Sequence, residues 1–319
     1  MNRQTLLITG IAGYWGEKLA QRISRDEWRV VGVDTRAPDL PDTADTFIKS
    51  DLTADIADIL RAEQVSAVCH LPRHSDISAT ANLLSACAAA GVEHVVIKSS
   101  TRVYGASAAA PAHLPETHPL PRSAPDAATK YLRDTELLAD SFRGALKVTI
   151  LRMAHILGAT ATTPLVKLLS QRAPVMLMGF DPLVQLLHED DAADALAHAV
   201  ATAAGGTFNI AADPPLPLSR VIALAGKIPL PVPHPVAYLR HRVETTNGLR
   251  RQKFPLHPDF LRFRLVADTG KMESEFGFFP EHSAEESVQA FAAHDYFRHL
   301  SPDQAARVKR IKQMQRMGE

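Results

Sequence analysis

Three glycines decide what the start of this chain can become. Thr5–Thr9 (TLLIT) is a short apolar run that stops at Gly10, and Gly13 and Gly16 follow inside Thr9-Gly-Ile-Ala-Gly-Tyr-Trp-Gly16. Tyr14–Ser24 then reads as a helix. A strand that turns into a helix through this spacing uses the first glycine for the tight turn. The second lets backbone N–H groups approach phosphate oxygens, and the third lets the helix pack closely on the sheet. The helix N-terminus favours the anion. A second apolar run, Arg29–Val33, ends at Asp34, eighteen residues after Gly16. Loop and carboxylate together make the pattern of a dinucleotide-binding crevice, with Asp34 on the adenosine ribose hydroxyls. A carboxylate there repels a 2′-phosphate and favours NAD, while the nearby Arg36 leaves NADP open. Asp51-Leu52 ends the next apolar segment and is placed to contact adenine; Asp51 also suits the cap of a helix over Ala54–Ala62.

The same rhythm continues through the first half. Val65–His70, His94–Ile97 and Lys147–Leu151 are apolar runs without alternation, as strands buried on both faces are. Helical stretches at Ala54–Ala62, Ser78–Ala90 and Asp126–Phe142 separate them. Strands alternating with helices predict an α/β fold, a Rossmann-type doubly wound parallel sheet. After about residue 155 the rhythm breaks, with prolines at 214, 215 and 217 and again at 229, 231, 233 and 235. Only Glu189–Ala203 and Thr207–Ala211 resume the helix-and-strand pattern. The expected organisation is a dinucleotide-binding domain over 1–155, rejoined by a return segment at about 187–212, and a smaller mixed substrate lobe over 156–319. Ser301-Pro302 predicts a final helix, with a basic run over Arg307–Arg316.

Composition removes other classes. Lys plus Arg equals Asp plus Glu at 35 each, so no net positive field points to a nucleic-acid partner. The two cysteines, Cys69 and Cys87, make neither a disulfide framework nor a zinc ligand set, and a reducing cytoplasm is the expected compartment. No signal peptide and no run of eighteen apolar residues is present, so no integral membrane segment is expected. His188, Glu189, Asp190, Asp191 and Asp194 cluster as metal ligands sometimes do, but acidic residues in a first helical turn account for them, and no metal is expected. The same holds for His70 and His74. Arg240, His241, Arg242, Arg250, Arg251 and Lys253 form a basic stretch read as a solvated surface, with an anionic substrate or a membrane surface as alternatives.

Several stretches jointly resemble the extended short-chain dehydrogenases/reductases of the NAD-dependent epimerase/dehydratase family. The glycine loop has that family's T-G-x-x-G-x-x-G spacing, with Tyr14 and Trp15 where backbone touches pyrophosphate. Ile97-Lys-Ser-Ser-Thr-Arg-Val-Tyr-Gly105 resembles S-S-x-x-V-Y-G, and Leu151-Arg152 followed by Gly158 resembles L-R…N-x-x-G. Leu187-His-Glu-Asp-Asp191 resembles the H-V-D-D helix start, Phe208-Asn-Ile-Ala211 the late strand, and Phe276-Gly-Phe-Phe-Pro280 the closing G-F-x-P element. The likeness covers nearly the whole chain. It implies NAD as cofactor, hydride transfer at a hydroxyl or keto carbon, a small-molecule substrate and a homodimer. It places the catalytic hydroxyl at Ser100 and the lysine at Lys130. Leu71, Ser99 and Lys130 join Gly10, Gly13, Tyr14, Trp15, Gly16, Asp34, Asp51 and Leu52 in the expected cofactor-binding set.

The departures are as informative. Counting back four from Lys130 reaches Asp126, where the family has its proton-carrying tyrosine. An ionised carboxylate, with a reference pKa near 3.9 against about 10 for a phenol, cannot donate a proton at neutral pH. Asp126 is therefore a base if burial raises its pKa, an ion-pair partner, or simply the cap of the helix it opens. Tyr104 is the alternative phenol. His155 stands where nucleotide-sugar members have an asparagine facing substrate, Val184 replaces an arginine that grips diphosphate, and the segment His70–Ser75 after strand four is short. The resemblance implies a nucleotide sugar; Val184 leaves room for another small alcohol or ketone. Two functions follow: an NAD-dependent oxidoreductase or epimerase, its proton carried by Asp126, Tyr104, His155 or water, or a non-catalytic dinucleotide-binding sensor or assembly protein.

Overall fold

The structure is a computed structural model and describes residues 3–52, 56–71, 77–246 and 255–298. In chain order the first half runs β1 (Gln4–Thr9), α1 (Tyr14–Ala20), β2 (Trp28–Asp34), β3 (Thr46–Lys49), α2 (Ile56–Ala62), β4 (Ala67–His70), α3 (Ile77–Ala90), β5 (His94–Ser100), a 3-10 turn (Thr101–Tyr104), α4 (Ala127–Ser141) and β6 (Lys147–Met153). The second half runs β7 (His155–Leu157), α5 (Pro164–Leu169), β8 (Val175–Leu177), β9 (Leu183–His188), α6 (Glu189–Thr202), β10 (Gly206–Ile210), β11 (Ala212–Pro217), α7 (Leu218–Leu224), β12 (Leu230–Val232), α8 (His234–Thr246), α9 (Asp259–Arg262) and α10 (Ala284–Arg298).

Seven strands lie side by side in the order β10-β6-β5-β4-β1-β2-β3, and every pairing is parallel. This is a Rossmann-type doubly wound sheet. Alternation along the buried strands sends neighbours to opposite faces. Leu6 and Ile8 of β1, with Val30, Val96 and Leu151, join one core that runs on into the second half of the chain. Leu7, with Val31, Val33, Val95, Val148 and Ile150, joins the other, which packs on α2 and α3 through Leu60, Leu83 and Leu84. The free thiols Cys69 and Cys87 are buried, one in each core.

The chain departs from its predicted elements at informative places. α1 ends at Ala20, not Ser24. β3 is the edge strand in the apolar segment before Asp51-Leu52, and its residues are half-buried or exposed. β10 joins the large sheet beside β6, whereas β11-β9-β7 and β12-β8 form two small sheets. Prolines at 214, 215, 217 and 231 lie in β11 and β12, which are edge strands, where a missing N–H costs no ladder bond. Among the described residues no helix is long and apolar enough to cross a membrane. The predicted helix after Ser301-Pro302, the basic run Arg307–Arg316, and Arg250, Arg251, Lys253 and His74 lie outside the described residues.

Candidate functional site

Strand order reverses between β1 and β4, and a crevice opens past their carboxyl ends, the place where such sheets bind ligands. Gly10 follows β1 and Leu71 follows β4. Gly10 has φ +72°, and a Cβ there would sit 2.9 Å from the Leu71 carbonyl oxygen. At Gly16 a Cβ would lie 2.4 Å from the Gly10 oxygen and 2.5 Å from Ile11 Cα. The loop thus folds back on its own helix through space that only glycine leaves. Gly13 caps α1 without a side-chain hydrogen bond, so Tyr14, Trp15 and Gly16 bring first-turn N–H groups with no carbonyl partner inside the helix.

Two cavities meet over this loop. The first, about 270 Å³, is lined by Gly10, Gly13, Tyr14, Trp15, Gly16 and Leu71 at its floor, and by Ser99, Ser100 and His155 further along. The second, about 210 Å³, is lined by Asp34, Asp51, Leu52, His70, Thr80 and Tyr131, and shares Gly10 and Leu71 with the first. Asp34 is buried there. Its two carboxylate oxygens accept from Ala12 N at 3.1 Å and Thr35 N at 2.7 Å, so it braces the glycine loop as well as facing the cavity. Arg36 donates to the Ala12 carbonyl and pairs with Asp39 at 3.1 Å, on the outer side of the same loop. His70 bonds Thr9 Oγ1 at 2.7 Å and Thr80 Oγ1 at 3.1 Å, and burial pushes it down to about 4, so it is a neutral brace between β1, β4 and α3.

The candidate catalytic residues do not all converge. Ser100 lines the first cavity, its Oγ accepting from Arg102 N at 3.3 Å. Ser99 also lines the cavity, but its hydroxyl donates to Glu136. Asp126 caps α4, accepting from Thr129 N at 2.8 Å, and takes two hydrogen bonds from Arg102 at 2.8 and 2.9 Å. Burial alone would raise this carboxyl; Arg102 and Thr129 outweigh it and hold it below the usual carboxylate range. Asp126 is thus the cap and ion-pair partner, and it does not line either cavity. Tyr104 is buried, donating to Asn209 Oδ1 at 2.8 Å and accepting from Arg152 at 2.8 Å, with its phenol pushed up to about 12 by burial. It too stands away from the cavities.

Lys130 lies on the outer side of α4. Its ammonium pairs with Asp134 at 2.7 Å, the side chain is 65% exposed, and it lines neither cavity. Two residues on, and about 200° around the helix, Leu132 is the α4 residue that faces the first cavity. The lysine expected at the nicotinamide ribose is thus not among the residues that line the two cavities. Lys130→Ala is expected to leave dinucleotide affinity within about twofold by titration calorimetry, the ordinary result for an exposed i,i+4 pair; a tenfold loss would restore Lys130 to the site.

Two cations at the cavity escaped the sequence reading. Arg102 lines it, donates to Asp126 and Thr129, and lies over the Phe260 ring at 5.6 Å. Lys98 lines it with Nζ 4.9 Å from the Trp15 ring centroid. The signal for Lys98 was available: a lysine that ends the apolar run of a strand buried on both faces.

The acidic cluster at the start of α6 is spent on structure. Glu189 accepts from the Tyr14 hydroxyl and from Thr160 N at 3.2 Å; Asp190 pairs with Lys18 at 2.9 Å and Arg22 at 2.6 Å; Asp194 pairs with Arg22 at 2.6 Å. Asp191 accepts from the Glu281 and His282 backbone N–H groups, each at 3.1 Å. The helix after the glycine loop is thereby clamped to α6.

Comparison with known proteins agrees with this geometry. The profile of the NAD dependent epimerase/dehydratase family matches residues 6–211. An uncharacterised protein of Mycobacterium tuberculosis (strain H37Rv) is 31% identical over 323 aligned residues, covering 92% of this chain and 84% of that protein. Among solved structures, MoeE5 in complex with UDP-glucuronic acid and NAD is similar at TM-score 0.67 and 24% identity, covering 93% of this chain and 100% of that one. The UDP-glucuronic acid 4-epimerase of Bacillus cereus in complex with NAD is similar at TM-score 0.69 and 18% identity, again over 93% and 100%. These structural likenesses are likenesses of fold. The family profile spans well over half of the chain and the mycobacterial relative exceeds 30% identity along most of it, so the chain belongs to the NAD dependent epimerase/dehydratase family.

Proposed function

We propose that this protein binds NAD along the two cavities and transfers hydride at a hydroxyl- or keto-bearing carbon of a small molecule, as an oxidoreductase or epimerase. The observation that carries the reading is the pair of cavities meeting over Gly10 and Leu71, one holding Asp34 and the other Ser100. The adenosine half belongs to the Asp34 cavity, the pyrophosphate to the glycine loop, and the nicotinamide to the Ser100 cavity. When bound, NAD supplies the hydride acceptor. The chain's own residues do the rest: Ser100 hydrogen-bonds and polarises the reacting oxygen, His155 lines the substrate side as a neutral imidazole, and Leu132 and Met153 keep that side apolar. Nucleotide sugars are the first substrate class to test, because the structurally similar MoeE5 is described with UDP-glucuronic acid and NAD. Val184 is buried and bridges Leu265, so it offers no diphosphate grip, and secondary alcohols belong in the same panel. Two free buried thiols suit a cytoplasmic setting, and a homodimer is the assembly to test by size-exclusion chromatography.

Calorimetric titration is expected to show NAD binding at least about tenfold tighter than NADP, because a 2′-phosphate beside the buried Asp34 carboxylate is repelled. Asp34→Asn is expected to narrow that ratio. With UDP-glucose, UDP-glucuronic acid and secondary alcohols, turnover followed by NADH absorbance and product chromatography is expected to fall about a hundredfold in Ser100→Ala. If neither dinucleotide binds at millimolar concentration, the reading fails. Tight NAD binding with no turnover across the panel would favour a dinucleotide sensor.

A further inference from the structure

At the first cavity, α4 supplies no proton carrier. Asp126 is tied to Arg102, Lys130 faces solvent, and the α4 residue at the cavity is Leu132. The strand beside it offers a different group. Alternation along β5 sends Ser99 toward Glu136 and puts Lys98 and Ser100 together on the opposite face, where both line the first cavity. Trp15 from α1, Cys69 from β4 and Arg102 from the 3-10 turn face Lys98, and Tyr14 and His155 line the same cavity. Among the described residues, no carboxylate lies within ion-pair distance of its ammonium.

We propose that Lys98 is the acid–base residue of this site, exchanging a proton with the substrate oxygen held against Ser100; the assignment rests on the dinucleotide-dependent reading above. In the oxidation direction an alcohol loses its C–H and O–H bonds and gains a C=O. The hydride passes to the bound nicotinamide dinucleotide, the oxidant, and the proton passes to the neutral Lys98 amine, directly or through the Ser100 hydroxyl. Reduction runs the same bonds in reverse, with the Lys98 ammonium returning the proton.

The other titratable groups at the cavity cannot take this role. Burial, then Arg102, pushes His155 down to about 4, which leaves it neutral and a weak base. Burial and then Glu189 push the Tyr14 phenol far up. The Arg102 guanidinium is engaged with Asp126 and Thr129. Burial, then Arg102, brings Lys98 down to about 8 from an ordinary 10.5, so ammonium and amine coexist near neutral pH, where an acid–base group is most effective.

The test reads Lys98 directly. Reductive methylation of the full chain with 13C-formaldehyde gives each lysine an NMR signal that titrates, and the Lys98 signal is the one missing from Lys98→Met. Its midpoint is expected near 8 in the free protein. NAD carries a cationic nicotinamide ring and NADH a neutral one. A Lys98 that faces the ring should therefore move down by about one pH unit with NAD and not with NADH. By linkage, NAD affinity should rise about tenfold between pH 6 and pH 9 in the wild type and stay flat in Lys98→Met. On a panel substrate that turns over, Lys98→Met is expected to lose at least about a hundredfold in kcat with KM nearly kept. A midpoint raised equally by NAD and NADH would make Lys98 a pyrophosphate partner and overturn the proposal, and so would an unshifted midpoint. Failure of both dinucleotides to bind would instead overturn the reading of the whole site.

Discussion

Gly16→Ala is expected to abolish dinucleotide binding and to cost the fold about 3 kcal/mol, at the upper end of what overpacking a close contact costs. The added methyl has no exit. Its nearest neighbours are the Gly10 oxygen, Ile11 Cα and the Ile11 oxygen, all backbone and all within 2.5 Å. Relief requires moving the loop that lines both cavities, so stability and binding should fall together. Gly144→Ala is the control: a Cβ there meets nothing within 4 Å. Urea unfolding and calorimetry on the two variants decide the matter. A Gly16→Ala protein that binds NAD within tenfold of wild type, at an unchanged unfolding midpoint, would show that the loop can shift without consequence.

Arg152→Met is expected to destabilise by about 3–5 kcal/mol, the usual cost of stranding one partner of a buried ion pair. Arg152 Nη2 lies 2.7 Å from Glu136 Oε2, with side-chain exposures of 6% and 0%. Arg152 also donates to the Tyr104 hydroxyl at 2.8 Å and the Glu116 carbonyl at 3.0 Å. Burial already lifts the Glu136 carboxyl above its ordinary 4.5 despite Arg152, and the substitution removes that restraint. The pH dependence follows in sign. A carboxyl raised in the folded state is a stabilising contribution below its unfolded pKa and a loss as pH rises through the folded one. The deficit of Arg152→Met should therefore be full at neutral pH and shrink toward pH 4.5, and Glu136→Gln in the same chain should recover part of it. A deficit that does not change with pH would mean the cost comes from the lost arginine packing alone. Because Glu136 also receives the Ser99 hydroxyl, the variant should disturb the end of β5 that carries Lys98 and Ser100.

Much of this could be read from the residues. Strands β1, β2, β4, β5 and β6 announce themselves as apolar runs because both of their faces are buried, and α4 lies within its predicted stretch because Asp126 caps it. Edge elements are marked more weakly for the opposite reason: β3 has no fully buried face to encode, and β11 and β12 tolerate prolines because no strand lies outside them. The glycine loop was legible because its constraint is steric and local. A four-residue count fixes distance along a helix, not which side of it meets a neighbour, so it could not place Lys130 relative to the cavities. Leu132 carries that information only once α4 is packed. Lys98 was overlooked because a lysine at a strand end looks like a boundary, and its isolation from carboxylates is a property of distant segments.

The clamp between α1 and α6 bears on how this protein is made. The glycines of the loop precede Lys18 and Arg22 in the chain, yet the partners of those two residues lie 172 and 168 positions further along. Contacts at that separation close slowly, because the chain loses much freedom before they form. A nascent chain that has reached residue 155 would display the complete motif with Tyr14, Lys18 and Arg22 unmatched and with β6 unflanked by β10. Ligand capture should thus come late in synthesis, once residue 210 has emerged, and complementing fragments divided near residue 155 should bind only when mixed.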